Sequence, residues 1–145
     1  MQTFLPLPDL KLSVQILDKA RLGKQRVEAF QLLKAISGTG SGWSRHPAAK
    51  MWRGFENALV TYALHAHDEW IKRGCVDTTR DRMQKLFDPS KEVVLPPWFG
   101  NDAFHASHRS NLLRKDAVWY GKYGWKEPPD MPYVWPLNLP AVSPV

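Results

Sequence analysis

The chain has 145 residues, one cysteine (Cys75) and 20 Lys+Arg against 14 Asp+Glu, a net charge of +6. One domain fits this length, a disulfide framework is excluded, and the charge points to a polyanionic partner, nucleic acid before an anionic membrane. No apolar run reaches the roughly 20 residues of a membrane span, and Met1-Gln2-Thr3-Phe4-Leu5-Pro6 has neither the basic region nor the apolar core of a signal peptide, so a reducing cytoplasm is the expected compartment.

Pro6 and Pro8 keep the first twelve residues extended. Ser13 is then the expected N-cap of a helix running to about Ile36, with Ile16, Leu17, Ala20, Val27, Phe30, Leu33 and Ile36 on the helical period. Gly23 weakens that helix and lets a backbone approach closely. Residues 37–42 read as a flexible Gly/Ser loop. Pro47 suits the first turn of a second helix ending near Lys72, with Met51, Phe55, Leu59, Tyr62, Ala66 and Trp70 as its buried stripe. Thr78-Thr79-Arg80-Asp81 has the form of a capping box that opens a short helix to about Phe87. Leu95 to Gly100 is rigid and irregular, and Asn101 or Asp102 caps a further helix carrying Phe104, His108, Leu112 and Lys115. The tail from Glu127 holds six of the twelve prolines and reads as an extended arm packed on the body. No strand alternation and no repeat are evident. The predicted fold is all-α: a compact single-domain helical bundle over 1–145, with long irregular connections and a Pro-rich arm at 126–145.

Three stretches carry chemistry. In the first, Arg21, Lys24 and Glu28 stand at i, i+3 and i+7 and share one helix face. With Arg26 they suit phosphate neutralisation beside a carboxylate. The competing reading is an exposed Lys24–Glu28 pair worth a few tenths of a kcal/mol. In the second, His105, Ser107, His108, Arg109, Arg114 and Lys115 lie on one helix and all suit phosphate contacts. His105 and His108 have no Cys or His partners at metal-binding spacing, so no metal is expected. In the third, Trp119-Tyr120-Gly121-Lys122-Tyr123-Gly124-Trp125 interleaves rings with a cation. Tyr120 and Tyr123 can stack on bases while Lys122 meets the backbone, and a terminal aromatic cluster closing the core is the equally common alternative.

These stretches, taken in order, resemble the bacteriophage-type pyrimidine-dimer DNA glycosylases, the endonuclease V group of UV-repair enzymes. Leu17-Asp18, Arg21-Leu22 and Glu28 resemble the first-helix motif of that family, with Arg21 where the family has His and Glu28 on its essential carboxylate. Ser107 to Lys115 resembles its Ser-containing helix ending in Leu-x-x-Lys. Trp119-Tyr120-x-x-Tyr123-Gly124 resembles its C-terminal aromatic segment. The blocks cover about a quarter of the chain. Val27 stands where the family has Arg, and the large Gln2 stands where the family has a small residue.

The resemblance implies an N-glycosylase with abasic-site lyase activity on damaged pyrimidines in double-stranded DNA, acting as a monomer without a cofactor. The implied nucleophile is an α-amine, here that of Met1, with Glu28 as acid/base and Lys24 as the nearest substitute amine. An α-amine suits the role because its reference pKa, about 7.7–8.0, leaves far more neutral nucleophile than that of Lys, about 10.4. Arg21, Lys24, Arg26, Arg109, Arg114, Lys115 and Lys122 are the implied phosphate ligands, with Tyr120 and Tyr123 at the lesion. A glycosylase or nucleotide-processing enzyme for another modified base, or a catalytically silent DNA-binding module, would share these features.

Overall fold

Asp9 opens the helical part of the chain. Its carboxylate accepts the N–H of Leu12 at 2.8 Å and caps α1 (Leu10–Gln15). The computed structural model describes residues 2–38 and 45–136. Among these the elements after α1 are α2 (Lys19–Ser37), α3 (Pro47–Trp52), α4 (Glu56–Lys72), α5 (Arg80–Gln84), α6 (Asp102–Lys115) and α7 (Ala117–Gly121), with no strand. The all-α prediction therefore holds.

The helix expected from Ser13 to Ile36 is two helices, broken at Ile16–Asp18. Distant side chains take the backbone groups that would have continued it. Trp119 Nε1 donates to the Ile16 carbonyl at 2.8 Å, and the Asp18 N–H donates to the Tyr120 hydroxyl at 3.0 Å. Ser13 is not a cap. It is buried inside α1, where its hydroxyl accepts from Leu7 N and donates to Leu7 O. Gly23 makes room for a ring rather than a backbone, since a Cβ there would lie 3.2 Å from Trp70. Ser37 closes α2, and Gly38 at φ 81° ends it in the left-handed conformation that favours glycine; residues 39–42 of the predicted loop lie outside the described residues.

The second predicted helix is also two, because Gly54 at φ 92° cannot continue α3. Its stripe is as expected: Met51, Leu59, Tyr62 and Ala66 are buried, and Phe55 and Trp70 pack against the core. The short helix α5 ends at Gln84 rather than Phe87, and its capping box does not form. Asp77 does the work instead, accepting from the N–H groups of Thr79 at 2.7 Å and Arg80 at 3.2 Å. Helix α6 is as predicted, with Asn101 accepting from Phe104 N at 3.1 Å. Helix α7 falls in what reads as an aromatic segment; Asp116 caps it through Trp119 N at 3.0 Å.

Helix α4 lies at the centre, against α1, α2 and α5. Trp52, Trp98 and Phe104 pack ring on ring beside it, with centroids 5.1 and 4.8 Å apart. The described part of the Pro-rich arm runs along α6. Asn111 Nδ2 donates to Met131 O at 3.0 Å, Met131 N to Ser110 Oγ at 2.9 Å, and Val134 N to Ser107 Oγ at 3.1 Å.

Through this body runs Gln2–Leu7, nearly all of it buried, with side chains as its backbone partners. Gln25 Oε1 accepts from Phe4 N at 2.9 Å while Gln25 Nε2 donates to Gln2 O at 3.0 Å. Replacing Gln25 by Ala orphans both backbone groups in a dry site and is expected to destabilise the protein by about 3 kcal/mol, read as a fall in the urea midpoint without a change in slope.

Candidate active site

Helix α2 divides its residues by direction. Leu22, Gln25, Ala29 and Leu32 are buried. Arg21, Lys24 and Glu28 share the adjacent side and, with Ala20, form one wall of a cavity of about 310 Å³. The opposite wall is Gln2, Phe4, Lys115 and Tyr133. Three cations and one carboxylate thus meet around a space closed by the start of the chain. The backbone N–H of Gln2 donates to Glu28 Oε2 at 3.1 Å.

Arg21 is held from behind. Arg21 Nη1 donates to Asp18 Oδ2 at 3.1 Å, and the Tyr120 hydroxyl donates to the other oxygen of Asp18. Burial, and then the Asp18 carboxylate, push the Tyr120 phenol well above its ordinary value, so it remains a donor. Lys115 lies at the end of α6. Burial lowers its ammonium below the usual lysine range, and Arg21, Arg114 and Lys24 push in the same direction.

Of the residues singled out in sequence, Arg21, Lys24, Glu28 and Lys115 come together in this cavity. Met1 lies outside the described residues. Arg26 turns to the other flank of α2, where it pairs with the buried Asp77 at 3.4 Å and lies over the Trp70 ring at 4.2 Å. His105, Ser107 and His108 are buried, and they engage the chain itself. His105 Nδ1 donates to Leu5 O at 2.7 Å, His108 Nδ1 accepts from Leu5 N at 2.9 Å, and Ser107 Oγ donates to Phe104 O at 2.7 Å. Both histidines thus use an inward nitrogen on the backbone of Leu5, which explains their spacing without a shared ligand. Among the described residues, no three His, Cys, Asp or Glu side chains gather as a metal site.

Arg109 is clamped between Glu127 and Pro6 O. Arg114 is exposed and bonded to Asn111 and Pro129 O. Tyr120 is fully buried, and Tyr123 donates to Ile16 O at 3.2 Å. Tyr120 is buried where it braces Asp18 and has no free face for a base, while Tyr123 is exposed beside the turn between α1 and α2; neither lines the cavity. Lys122 Nζ lies 3.6 Å from the Trp119 ring centre.

Sequence reasoning missed Tyr133, the aromatic wall of the cavity, because its arm offers only a Pro-rich composition. It also missed Gln25, whose signal was present as a lone amide on the apolar side of α2. A larger cavity of about 840 Å³ lies between residues 53–58 and 86–94. There the Glu56 carboxylate accepts from Gly54 N and Asp88 from Ser90 N, so these two carboxylates serve local turns.

Burial pushes His108 down to about 3, with His105 adding to the effect. The folded pKa is depressed below the unfolded value of about 6.5. The resulting stability is therefore complete above about pH 6.5 and is lost as pH falls toward 3, by about 1.4 kcal/mol per unit inside that window. His108→Asn keeps an acceptor for Leu5 N without a titrating ring, and urea midpoints followed from about pH 7 to about pH 4 are expected to fall less steeply for it.

No curated protein and no solved structure matches this chain. A family model described as pyrimidine dimer DNA glycosylase matches residues 1–83, more than half of the chain, and takes in the Gln2–Leu7 segment, the whole of α2 and Glu28. The shared region is thus the part that builds the Glu28 wall and the chain start against it, and the chain belongs to the pyrimidine dimer DNA glycosylase family.

Proposed function

We propose that the Glu28 cavity removes damaged pyrimidines, those of UV dimers first, from duplex DNA and then breaks the strand through a Schiff base. The observation that carries this reading is the Gln2 N–H on Glu28 Oε2. Gln2 is joined in sequence to Met1, whose amine is the proposed nucleophile, so the backbone beside that amine is anchored on the proposed acid/base. Gln2–Leu7 runs through the core and sets Gln2 against Glu28.

In this mechanism the neutral α-amine of Met1 attacks the sugar carbon that bears the damaged base. The glycosidic bond breaks and the base leaves with the bonding electrons. Glu28 stabilises the positive charge that develops on the sugar. Loss of the amine proton and ring opening give an iminium. Glu28 then removes the adjacent C2′ proton, and the C3′–O bond breaks with its electrons passing to the 3′ phosphate. Arg21, Lys24 and Lys115 hold the flanking phosphates, while Arg114 and Lys122 extend the basic surface beyond the cavity. Reaching the sugar requires displacing a nucleotide, which is easiest at a lesion.

Glu28→Gln tests the assignment. Binding to lesion-bearing duplex is expected to stay within about threefold of the parent, while strand cleavage falls by about 100-fold or more. Equal loss of binding and cleavage would make Glu28 structural, and cleavage that survives the substitution would leave a DNA-binding module with an unrelated activity. Blocking the α-amine with a retained tag is expected to abolish release of the damaged base.

A further inference from the structure

The peptide nitrogen that meets Glu28 belongs to Gln2 and is an amide, not a nucleophile. The side-chain amines that line the cavity are those of Lys24 and Lys115. They approach from different directions. Lys24 stands one turn from Glu28 on the same helix, the spacing that pairs a lysine with a glutamate. Lys115 comes from the end of α6, across the cavity from α2, and shares its surroundings with Arg21, Arg114 and Lys24.

We propose that Lys115 Nζ is a second reactive amine of this cavity, giving the protein an activity on preformed abasic sites that does not need the α-amine. The proposal rests on reading the Glu28 cavity as a DNA-cleaving site. A preformed abasic deoxyribose opens to an aldehyde at C1′, so no base has to be displaced and a side-chain amine suffices. Neutral Nζ adds to the aldehyde carbon, water leaves, and an iminium forms. Glu28 takes the C2′ proton, the C3′–O bond breaks, and the electron pair leaves on the 3′ phosphate. Water then hydrolyses the iminium and restores Lys115. No oxidant or reductant is consumed.

The surroundings fit this role. Lys115 stands at the cavity rim, where partial burial and then the like charges of Arg21, Arg114 and Lys24 lower its ammonium while Glu28 acts the other way, so its neutral, nucleophilic form is more accessible than that of an ordinary lysine. Arg21 and Lys24 remain to hold phosphates while Lys115 reacts. Asp18, which is bonded to Arg21, keeps that cation in place.

The test is borohydride trapping of the untagged protein on duplex DNA with one abasic deoxyribose, followed by peptide mapping of the adduct. The adduct is expected on the peptide that holds Lys115, and it is expected to persist when the α-amine is blocked. Lys115→Arg keeps the charge but not the nucleophile. It is expected to lower trapping by about tenfold or more, with affinity for a duplex carrying a nonreactive abasic analogue within about threefold. An adduct confined to the chain start or to Lys24, no adduct at all, or unchanged trapping by Lys115→Arg would overturn the proposal. Release of a damaged base with adducts only at the chain start would overturn this proposal and leave the glycosylase mechanism standing. A Lys115 adduct on abasic DNA, without release of any damaged base, would do the reverse.

Discussion

A backbone stretch carried through the interior must find a partner for every N–H and C=O it takes out of water. Gln2–Leu7 is such a stretch, and much of this protein is arranged to answer it. Gln25 serves Gln2 and Phe4, Tyr62 reaches Phe4 O at 2.8 Å, the two α6 histidines serve Leu5, Arg109 reaches Pro6 O at 2.8 Å, and Ser13 serves Leu7. The donors and acceptors come from α1, α2, α4 and α6, so side chains replace the neighbouring strand that a sheet would supply. An unpaired buried backbone group costs on the order of 1–3 kcal/mol, which is why so many polar residues stand inside a helical core. The segment is fixed from several sides, and its first described N–H is thereby fixed on Glu28.

The cations divide according to what stands behind them. Arg26 is balanced by Asp77, which also bonds His67, and Arg109 is balanced by Glu127. Both knit elements together. Arg21 is tethered to Asp18 but still borders the cavity, and Lys24 and Lys115 border it beside Glu28. Cations thus stand on both flanks of α2, and on the flank of Arg21 and Lys24 they border a cavity together with the Glu28 carboxylate. Gly23 matters to the other flank, where the absence of a side chain lets Trp70 lie on α2 and carry Arg26 on its ring.

Helix periodicity made α6 and the apolar stripe of α4 legible, with Asn101 marking the start of α6, but it ran α3, which Pro47 opens, into α4. The same periodicity ran α1 and α2 together. What separates them is Trp119 and Tyr120 acting on Ile16 and Asp18 from more than 100 residues away, and a local pattern contains no trace of that. At the site, the i, i+3, i+7 spacing of Arg21, Lys24 and Glu28 was readable because one helix fixes it. Lys115 was readable only as a cation, and Tyr133 not at all, since the arm's path over α6 decides which side chains face Glu28. The histidines and serine of α6 show the opposite error. Their residue types suit phosphate, but a buried backbone needs the same donors and acceptors.

The route of Gln2–Leu7 also sets the order in which the molecule can be built. Several residues of the segment and the turn after α1 are held by partners made much later: Leu5 waits for His105 and His108, Pro6 for Arg109, and Asp18 for Tyr120, each about 100 positions on. Contacts of that span close large loops and form late in folding. Helices α2 and α4, with Gln25 and Tyr62 in place for Gln2 and Phe4, can assemble before the partners of Leu5 and Pro6 exist. A chain stopped before α6 carries Gln25, Glu28 and Tyr62 for Gln2 and Phe4 but lacks the partners of Leu5 and Pro6, and leaves that stretch of backbone unpaired.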